Sequence, residues 1–288
     1  MTDRPAGALV LVGTPIGNLG DLSPRAIEVL RTADVIAAED TRRTRALLSH
    51  AGIPAGRRLR AVHAHNEAAA AGRIVEEVRG GARVAVVTDA GMPGISDPGG
   101  VLVRACLDAG LPVEAVPGPS AALTALVLSG LPADRFVFEG FLPRKGRARA
   151  ESIDAVAGET RTTVLFEAPT RVQAALADLA AACGPHRRVA LARELTKAFE
   201  EVWRGTLAAA VEHTEGSEPR GEYVIVVGPA AERAPAGDAE IEAAVRAALA
   251  EGRTARDAAT DVANALGVAR RRAYEAATRL KGPRQRGG

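Results

Sequence analysis

Residues 83–100, RVAVVTDAGMPGISDPGG, give the clearest indication of the fold. The first part of this stretch, Arg83–Thr88, is a nearly continuous apolar run, which is typical of a parallel strand buried on both faces. The twelve residues that follow hold two carboxylates, four glycines and two prolines, more than a simple turn requires. Ligands of open α/β sheets bind outside the carboxyl ends of the strands, so this loop predicts a ligand site.

Two similar loops follow other apolar runs. GTPIGNLGD (13–21) comes directly after the run that begins at Ala8, and PGPSA (117–121) follows VEAV (113–116). Glycine lets the backbone approach a ligand closely. The first loop matches neither the dinucleotide fingerprint nor the P-loop, which argues against a nicotinamide dehydrogenase. Each loop alone could be a structural turn, or a helix cap at Ser120, but together the three outline one edge of a sheet.

Strands and helices alternate along the rest of the chain, which predicts α/β domains with parallel or mixed sheets. Ser23 and Pro24 predict a helix start, and Asn66 is expected to cap a helix that runs to about residue 79. The predicted domains are an N-terminal α/β domain (1–131), a second α/β domain (132–229) and a basic helical domain (238–288), with a linker over 229–237.

Composition excludes several classes of protein. Two cysteines lie far apart among 288 residues, which argues against a disulfide framework or a zinc site. With no apolar run of about 20 residues and no signal-peptide layout, a cytoplasmic protein is expected. The overall charge is balanced, at 37 basic against 35 acidic residues, but residues 253–286 hold nine basic and three acidic residues. That asymmetry favours a polyanionic partner.

Charged motifs leave several roles open. His63 and His65 are expected on one face of a strand, where metal binding, substrate contact and simple packing remain alternatives. Asp97 could face a ribose or a sulfonium cation, or it could cap the next helix. The basic loop LPRKGRAR (142–149) suits phosphate contacts, although a solvated helix start is equally consistent. No nucleophile elbow, HExxH or CxxC motif is present.

Longer motifs carry a family resemblance. VGTPIGNLGDLSPRA, AAEDTRRTRALL, HAHNE, TDAGMPGISDPGG, VPGPSA, FVFEGFLPRK, FEAPTRV, ARELTKAFEEVWRGTL and GEYVIVVG follow one another in this order. They closely resemble the bacterial ribosomal small subunit methyltransferase I family of the tetrapyrrole methylase superfamily. The resemblance spans about residues 8–228, and so many long motifs in one order make it specific.

The resemblance implies two α/β domains with S-adenosyl-L-methionine between them and a small C-terminal helical tail. It implies transfer of a methyl group to a cytidine ribose 2′-hydroxyl in the decoding region of 16S rRNA, within the small ribosomal subunit, by a homodimer with no metal. Donor contacts would then fall on Pro15, Asp89, Ala90, Gly91, Ile95, Ser120, Ala121, Phe166, Ala168 and Leu195.

Motif position suggests the remaining roles. A hydroxyl is a poor nucleophile while protonated, so a nearby carboxylate or neutral lysine is expected to act as general base. The candidates are Asp97, Glu167 and Glu194, with Lys197 as a fourth. Substrate contacts are expected at Arg42, His65, Arg144 and Lys145. Two rival hypotheses are a methylase of tetrapyrroles or other small molecules, and a non-catalytic RNA-binding assembly factor.

Overall fold

The first sheet contains only parallel strands. The computed structural model describes residues 7–216, 220–231 and 236–281, and of Lys281 only the backbone. Five strands lie in the order β3-β2-β4-β1-β5. Pairing is parallel throughout, and Leu9 lies opposite both Val84 and Val113. The strands are β1 (Ala8–Val12), β2 (Val35–Ala38), β3 (Leu59–Ala61), β4 (Arg83–Val87) and β5 (Val113–Val116).

Helices cover both faces of this sheet, as the unbroken apolar strands predict. They are α1 (Pro24–Thr32), α2 (Thr41–His50), α3 (Glu67–Arg79) and α4 (Gly100–Asp108), whereas α5 (Ala121–Ser129) follows β5 and packs against the second sheet. The helix start at Ser23 is confirmed, because Ser23 Oγ accepts from Ala26 N at 3.1 Å. Leu30 and Leu48 bury one face of the sheet, and Ile74 and Leu102 bury the other.

The second sheet is mixed. Its order is β6-β7-β10-β8-β9, with β6 parallel to β7 and antiparallel pairing elsewhere. Its elements are β6 (Phe136–Phe141), α6 (Arg147–Gly158), β7 (Thr162–Glu167), α7 (Val172–Cys183), β8 (Arg188–Arg193), β9 (Glu201–Thr206), α8 (Leu207–Thr214) and β10 (Tyr223–Val227). Leu176 and Leu207 pack on one face, and α5 packs on the other through Ala125 and Leu126.

The chain divides into two compact units, Met1–Ala230 and Ala231–Gly288. The first contains both sheets, so the predicted boundary at residue 131 falls within it and stays a prediction. The second contains α9 (Asp238–Ala250), α10 (Ala255–Leu266) and α11 (Arg270–Lys281). Four residues of the predicted linker, 232–235, and the end of the basic tail lie outside the described residues. Within the described ranges, no helix combines the length and apolarity needed to cross a membrane.

Two local expectations around residues 61–67 are wrong. The strand there ends at Ala61, so His63 and His65 lie in the turn after it rather than on one face of a strand. Asn66 does not cap α3 through its side chain. Its Oδ1 accepts from His63 N at 2.8 Å, and its Nδ2 donates to the carbonyl of Ala61 at 3.2 Å. Asn66 therefore closes the turn, a local use of the amide that competes with capping.

Candidate functional site

Three loops meet at the carboxyl edge of the first sheet, as the sequence predicts. They follow β4, β1 and β5, which are neighbours in the sheet. A short backbone bridge joins the first two loops, since Thr14 N donates to the carbonyl of Gly91 at 2.9 Å and Gly91 N donates back to Thr14 at 3.1 Å. Thr14 Oγ1 also donates to the carbonyl of Thr88 at 3.2 Å. The loops therefore form one connected surface.

Glycine is required where the β1 and β5 loops touch. A Cβ atom at Gly13 would lie 2.7 Å from Gly118 Cα, and one at Gly118 would lie 2.8 Å from Gly13 Cα. Gly17 faces a similar constraint from the second sheet, because its Cβ would lie 2.5 Å from Lys197 Cγ. The contact between Gly13 and Gly118 is backbone against backbone, whereas the nearest neighbour of Gly17 is a lysine side chain, with the carbonyl oxygen of Leu195 at 2.9 Å.

An apolar cluster connects these loops to the second sheet. It contains Ile16 and four residues predicted to contact a methyl donor, namely Ala90, Ala121, Phe166 and Leu195. Phe166 presents its ring at a steep angle to Phe138, with ring centroids 4.9 Å apart. Residues of the loops beside the first sheet and residues of the second sheet therefore pack into one apolar cluster.

Three more residues that are predicted to contact the methyl donor differ in their position and exposure. Ser120 caps α5, since its Oγ accepts from Leu123 N at 3.4 Å. Ile95 lies at an exposed position in the loop after β4, with 51% of its surface accessible. Ala168 is half-buried just after β7, where its N–H donates to Glu167 Oε1 at 2.8 Å.

A cleft of about 320 Å³ opens beside the joined loops. That volume is at the lower end of the range found for small-molecule sites. It brings together Pro15, Asp89, Ala90 and Lys197 from the predicted set. The full lining is Thr14, Pro15, Ile16, Gly17, Leu19, Arg43, Thr44, Ala46, Leu47, Thr88, Asp89, Ala90, Lys197 and Glu222.

Acidic side chains at the ends of β2 and β4 are paired with the start of α2. Asp40 caps α2 and binds Arg42, and the hydrogen bonds from Arg42 lower the pKa of Asp40 to about 2. Asp89 Oδ2 lies 3.3 Å from Arg43 Nη1, and its Oδ1 accepts from Asp40 N at 3.2 Å. Burial nevertheless raises the pKa of Asp89. The carboxylate of Asp89 is thus engaged by protein groups at the cleft wall.

Asp97 differs from these carboxylates. It is half-buried, and within the described part of the chain no hydrogen bond or ion pair engages its side chain. Burial, together with the negative charges of Glu39 and Asp89, raises the pKa of Asp97 to about 7. The preceding residue, Ser96, has a φ of 61°, a left-handed conformation that costs energy outside glycine. Such a carboxyl group is poised to exchange a proton near neutral pH.

The capping alternative for Asp97 is wrong, because another residue performs that role. Glu67, at the start of α3, is 6% exposed. Its Oε1 accepts from three N–H groups at the start of α4, those of Gly99 (2.8 Å), Val101 (2.9 Å) and Leu102 (3.2 Å). Sequence reasoning missed Glu67. The only indication of this role in the sequence is the acidic residue that ends HAHNE. Such a residue would ordinarily be expected to stabilise the start of its own helix, α3.

Glu167 is removed from the candidate bases. Its side chain is 1% exposed and lies 2.5 Å from Arg171 Nη2. Successive strand residues point to opposite faces, so Glu167 shares the face of Leu165 rather than that of Phe166. A carboxylate buried beneath the second sheet cannot reach a substrate hydroxyl. Its role is to hold Arg171 and the turn at Ala168.

Lys197 cannot supply a neutral amine. Burial lowers its pKa, but hydrogen bonds to Glu194 at 2.8 Å and Glu222 at 2.9 Å outweigh that effect and raise it. The hydrogen bond from Lys197 in turn lowers the pKa of Glu194. Glu194 and Thr196 have φ values of 49° and 66°, so this segment is strained as well as paired. Lys197 therefore lines the cleft as a cation.

The predicted substrate residues lie on the surface, outside the lining of this cleft. Arg42 is 91% exposed and paired with Asp40, while its neighbour Arg43 faces Asp89 and lines the cleft. Position 43 was missed because the choice between adjacent arginines depends on the orientation of α2. His65, Arg144 and Lys145 are exposed. Among the described residues, no group of three or more His, Cys, Asp and Glu side chains converges as a metal site.

The fold and the joined loops define a class of protein. The family model of the tetrapyrrole (corrin/porphyrin) methylases matches residues 8–211. The crystal structure of uroporphyrin-III-C-methyltransferase from Thermus thermophilus is similar to this chain, with a TM-score of 0.55 and 25% identity. That match covers 77% of this chain and 94% of the other.

Nearer relatives identify the family within that class. A ribosomal RNA small subunit methyltransferase I from Synechocystis sp. is 42% identical over 96% of this chain and 99% of its own length. One from Xylella fastidiosa, strain Temecula1, is 52% identical over 79% of this chain and 83% of its own length. The chain therefore belongs to the ribosomal RNA small subunit methyltransferase I family of the tetrapyrrole methylases.

Proposed function

We propose that this protein transfers a methyl group from S-adenosyl-L-methionine to the ribose 2′-hydroxyl of a cytidine in the decoding region of 16S rRNA. The observation that carries the proposal is Asp97, a half-buried carboxyl with no protein partner among the described residues and a pKa of about 7, on the loop that follows β4. A base with that pKa suits a hydroxyl substrate at neutral pH. The names of the relatives support ribosomal RNA as the substrate.

The residues present fit the methyl donor. Gly13 and Gly118 let the β1 and β5 loops touch, since a Cβ at either position would collide with the facing loop, and this contact brings the loop ends together beside the cleft. Ala90, Ala121 and the ring of Phe166 offer an apolar surface for an adenine base. When bound, S-adenosyl-L-methionine supplies an electrophilic methyl group on a cationic sulfonium. Pro15, Gly91, Ile95, Ser120, Ala168 and Leu195 complete the proposed donor site.

Asp97 is proposed to remove the proton that the 2′-hydroxyl loses as its oxygen bonds to the methyl carbon, while the methyl–sulfur bond would break and the sulfur would leave as a neutral thioether. The ionised form is required for this step, and it becomes abundant as the pH rises through about 7. Glu67 keeps the start of α4, and with it the Asp97 loop, in place through three hydrogen bonds. Positioning supplies much of the remaining acceleration, because holding the reacting groups in line removes an entropic cost.

Cations around the cleft are proposed to hold the target nucleotide. Lys197 and Arg43 line the cleft and can contact a phosphate, while Glu194 and Glu222 fix Lys197. Outside the cleft, Arg42, His65, Arg144 and Lys145 are proposed contacts for the flanking RNA. Phosphate contacts of this kind position a nucleic acid without selecting its sequence.

The assembly is also proposed. We expect a cytoplasmic homodimer that acts on the small ribosomal subunit. Exposed apolar side chains on α5 support a protein interface, since Val127 is 74% and Leu123 is 51% accessible and the two lie one helical turn apart. Sedimentation at micromolar concentration measures the association. A dimer that dissociates in Val127→Glu is the expected result, and a monomeric wild type would contradict it.

A tetrapyrrole or other small molecule is the second candidate substrate, favoured by the description of the matching family model. Incubation with labelled S-adenosyl-L-methionine and either small subunits or a porphyrinogen separates the two. We expect label in RNA alone, whereas label in the porphyrinogen alone would reverse the assignment. Calorimetry tests the non-catalytic alternative, since an assembly factor need not bind the donor.

A further inference from the structure

The second compact unit contains a helix-turn-helix. Helices α10 (Ala255–Leu266) and α11 (Arg270–Lys281) are separated by three residues. Gly267 ends α10 in the left-handed conformation, with a φ of 63°, and Val268 N donates back to the carbonyl of Ala263 at 3.1 Å. Two helices joined by a short, glycine-containing turn form the unit that many proteins use to contact nucleic acids.

The packing of this unit fixes which face of α11 points outward. Ala273, Ala276 and Ala277 are fully or almost fully buried against Ile241 and Val245 of α9. Two arginines of α11 also point back to α9. Arg272 Nη2 donates to Asp238 at 2.7 Å, and Arg279 Nη2 donates to Glu242 at 2.9 Å. These two arginines therefore lie beside α9 and form exposed ion pairs with it, away from the side of α11 that carries Arg270 and Tyr274.

The outward face is basic and aromatic. Arg270, Tyr274 and Thr278 are exposed and recur every four residues, so they share one side of the helix. Tyr274 is 50% accessible. Arg271 is exposed beside them and pairs with Glu275. Within the described residues Arg270 makes no ion pair, so its guanidinium is available to a ligand.

We propose that Arg270, Arg271 and Tyr274 form a docking face for the phosphate backbone of a base-paired rRNA segment. The proposal rests on the proposed function, which makes RNA the substrate. Guanidinium groups bind phosphates in a bidentate manner, and the tyrosine hydroxyl can donate to another phosphate. Because the major groove of an RNA helix is too deep and narrow for side chains to read, this face recognises shape and charge rather than sequence.

The test compares the full-length Arg270→Ala/Tyr274→Ala variant with a matched Arg246→Ala control. Arg246 is an exposed arginine of α9, in the same unit but outside α11. Affinity for small subunits and for a protein-free 16S rRNA fragment is measured by fluorescence anisotropy over a range of salt concentrations. We expect the double variant to bind both RNAs about tenfold more weakly, with a salt slope smaller by about 1.

Kinetics provide a second readout. We expect the KM for RNA to rise in the double variant while kcat and the donor Kd stay at wild-type values. Arg270→Lys, which keeps the charge, should recover part of the affinity. Affinity equal to that of Arg246→Ala would overturn the proposal, and so would a loss confined to assembled subunits, which would assign the face to a ribosomal protein. A wild type that binds RNA but does not methylate it would contradict the proposed function and leave the docking face unaffected.

Discussion

At the scale of single residues, the carboxylates of Glu67 and Asp97 have opposite surroundings. Glu67 is buried, and three N–H groups at the start of α4 donate hydrogen bonds to its Oε1. Asp97 is half-buried with no partner in the described chain, and burial opposes its charge. The first is therefore suited to hold the loop, and the second to exchange a proton.

Replacing Asp97 tests its role as base. We predict that Asp97→Asn lowers the rate of methyl transfer by about 100-fold or more, because a general base contributes at least that much. The donor Kd, measured by calorimetry, should stay within a factor of two. The control is Asp108→Asn, an exposed aspartate at the end of α4, which should keep wild-type turnover.

The wild-type rate should also depend on pH. The pKa of Asp97 is raised to about 7, so the protonated, inactive form dominates below that pH and the ionised form above it. Single-turnover rates should therefore rise from pH 6 to pH 8 and then level off. A flat profile over this range, in a wild type that retains its fold, would exclude Asp97 as the base.

Replacing Glu67 tests the support of the loop. We expect Glu67→Ala to lower the free energy of unfolding by about 2–3 kcal/mol, because buried N–H groups of α4 lose their acceptor. Glu67→Gln keeps a carbonyl oxygen as an acceptor, so its free energy of unfolding should fall less than that of Glu67→Ala. Glu76→Ala, on the exposed side of α3, should change it by less than about 1 kcal/mol. Denaturant unfolding measures the free energy of unfolding of all three variants. Equal losses in Glu67→Ala and Glu76→Ala would show that Glu67 does not support the loop.

At the scale of elements, the site depends on loops in backbone contact. We predict that Gly13→Ala destabilises the protein by about 1–3 kcal/mol, because the new methyl group overpacks the contact with Gly118. Donor affinity should fall in parallel. Gly100→Ala is the control, since a Cβ there meets no atom within 4 Å. Thermal unfolding and calorimetry give both quantities, and a Gly13 variant as stable as the Gly100 variant would refute the close approach.

The sequence predicts most elements and the meeting of the three loops, because apolar runs mark buried strands and parallel strands place their carboxyl ends at one edge. It does not predict the partner of Glu67, which lies 32 residues away at Gly99. It also misassigns Glu167, since the face to which that residue points depends on the register of β7 in the sheet. Long-range contacts and register follow only from the folded arrangement.

At the scale of the whole molecule, the chain is nearly neutral, so the proposed RNA binding has to depend on local charge. We predict that Arg144→Ala/Lys145→Ala raises the Kd for small subunits and reduces the salt slope by about 2, since each phosphate contact contributes about 0.9. The control is Arg31→Ala/Arg57→Ala, two exposed arginines elsewhere in the first unit. Anisotropy titrations from low to high salt compare the wild type with the two double variants. Equal slopes in all three proteins would remove the basic loop from the RNA interface.

The position of the transferred methyl group distinguishes ribose methylation of 16S rRNA from every other proposed activity. Small subunits that lack the modification are incubated with the wild-type protein and labelled S-adenosyl-L-methionine, and the labelled nucleotide is mapped by nuclease digestion and mass spectrometry. We predict one 2′-O-methylcytidine in the decoding region of 16S rRNA, and labelling that is about 100-fold slower or more with Asp97→Asn. A methyl group on a base, on another RNA or on no RNA would contradict it.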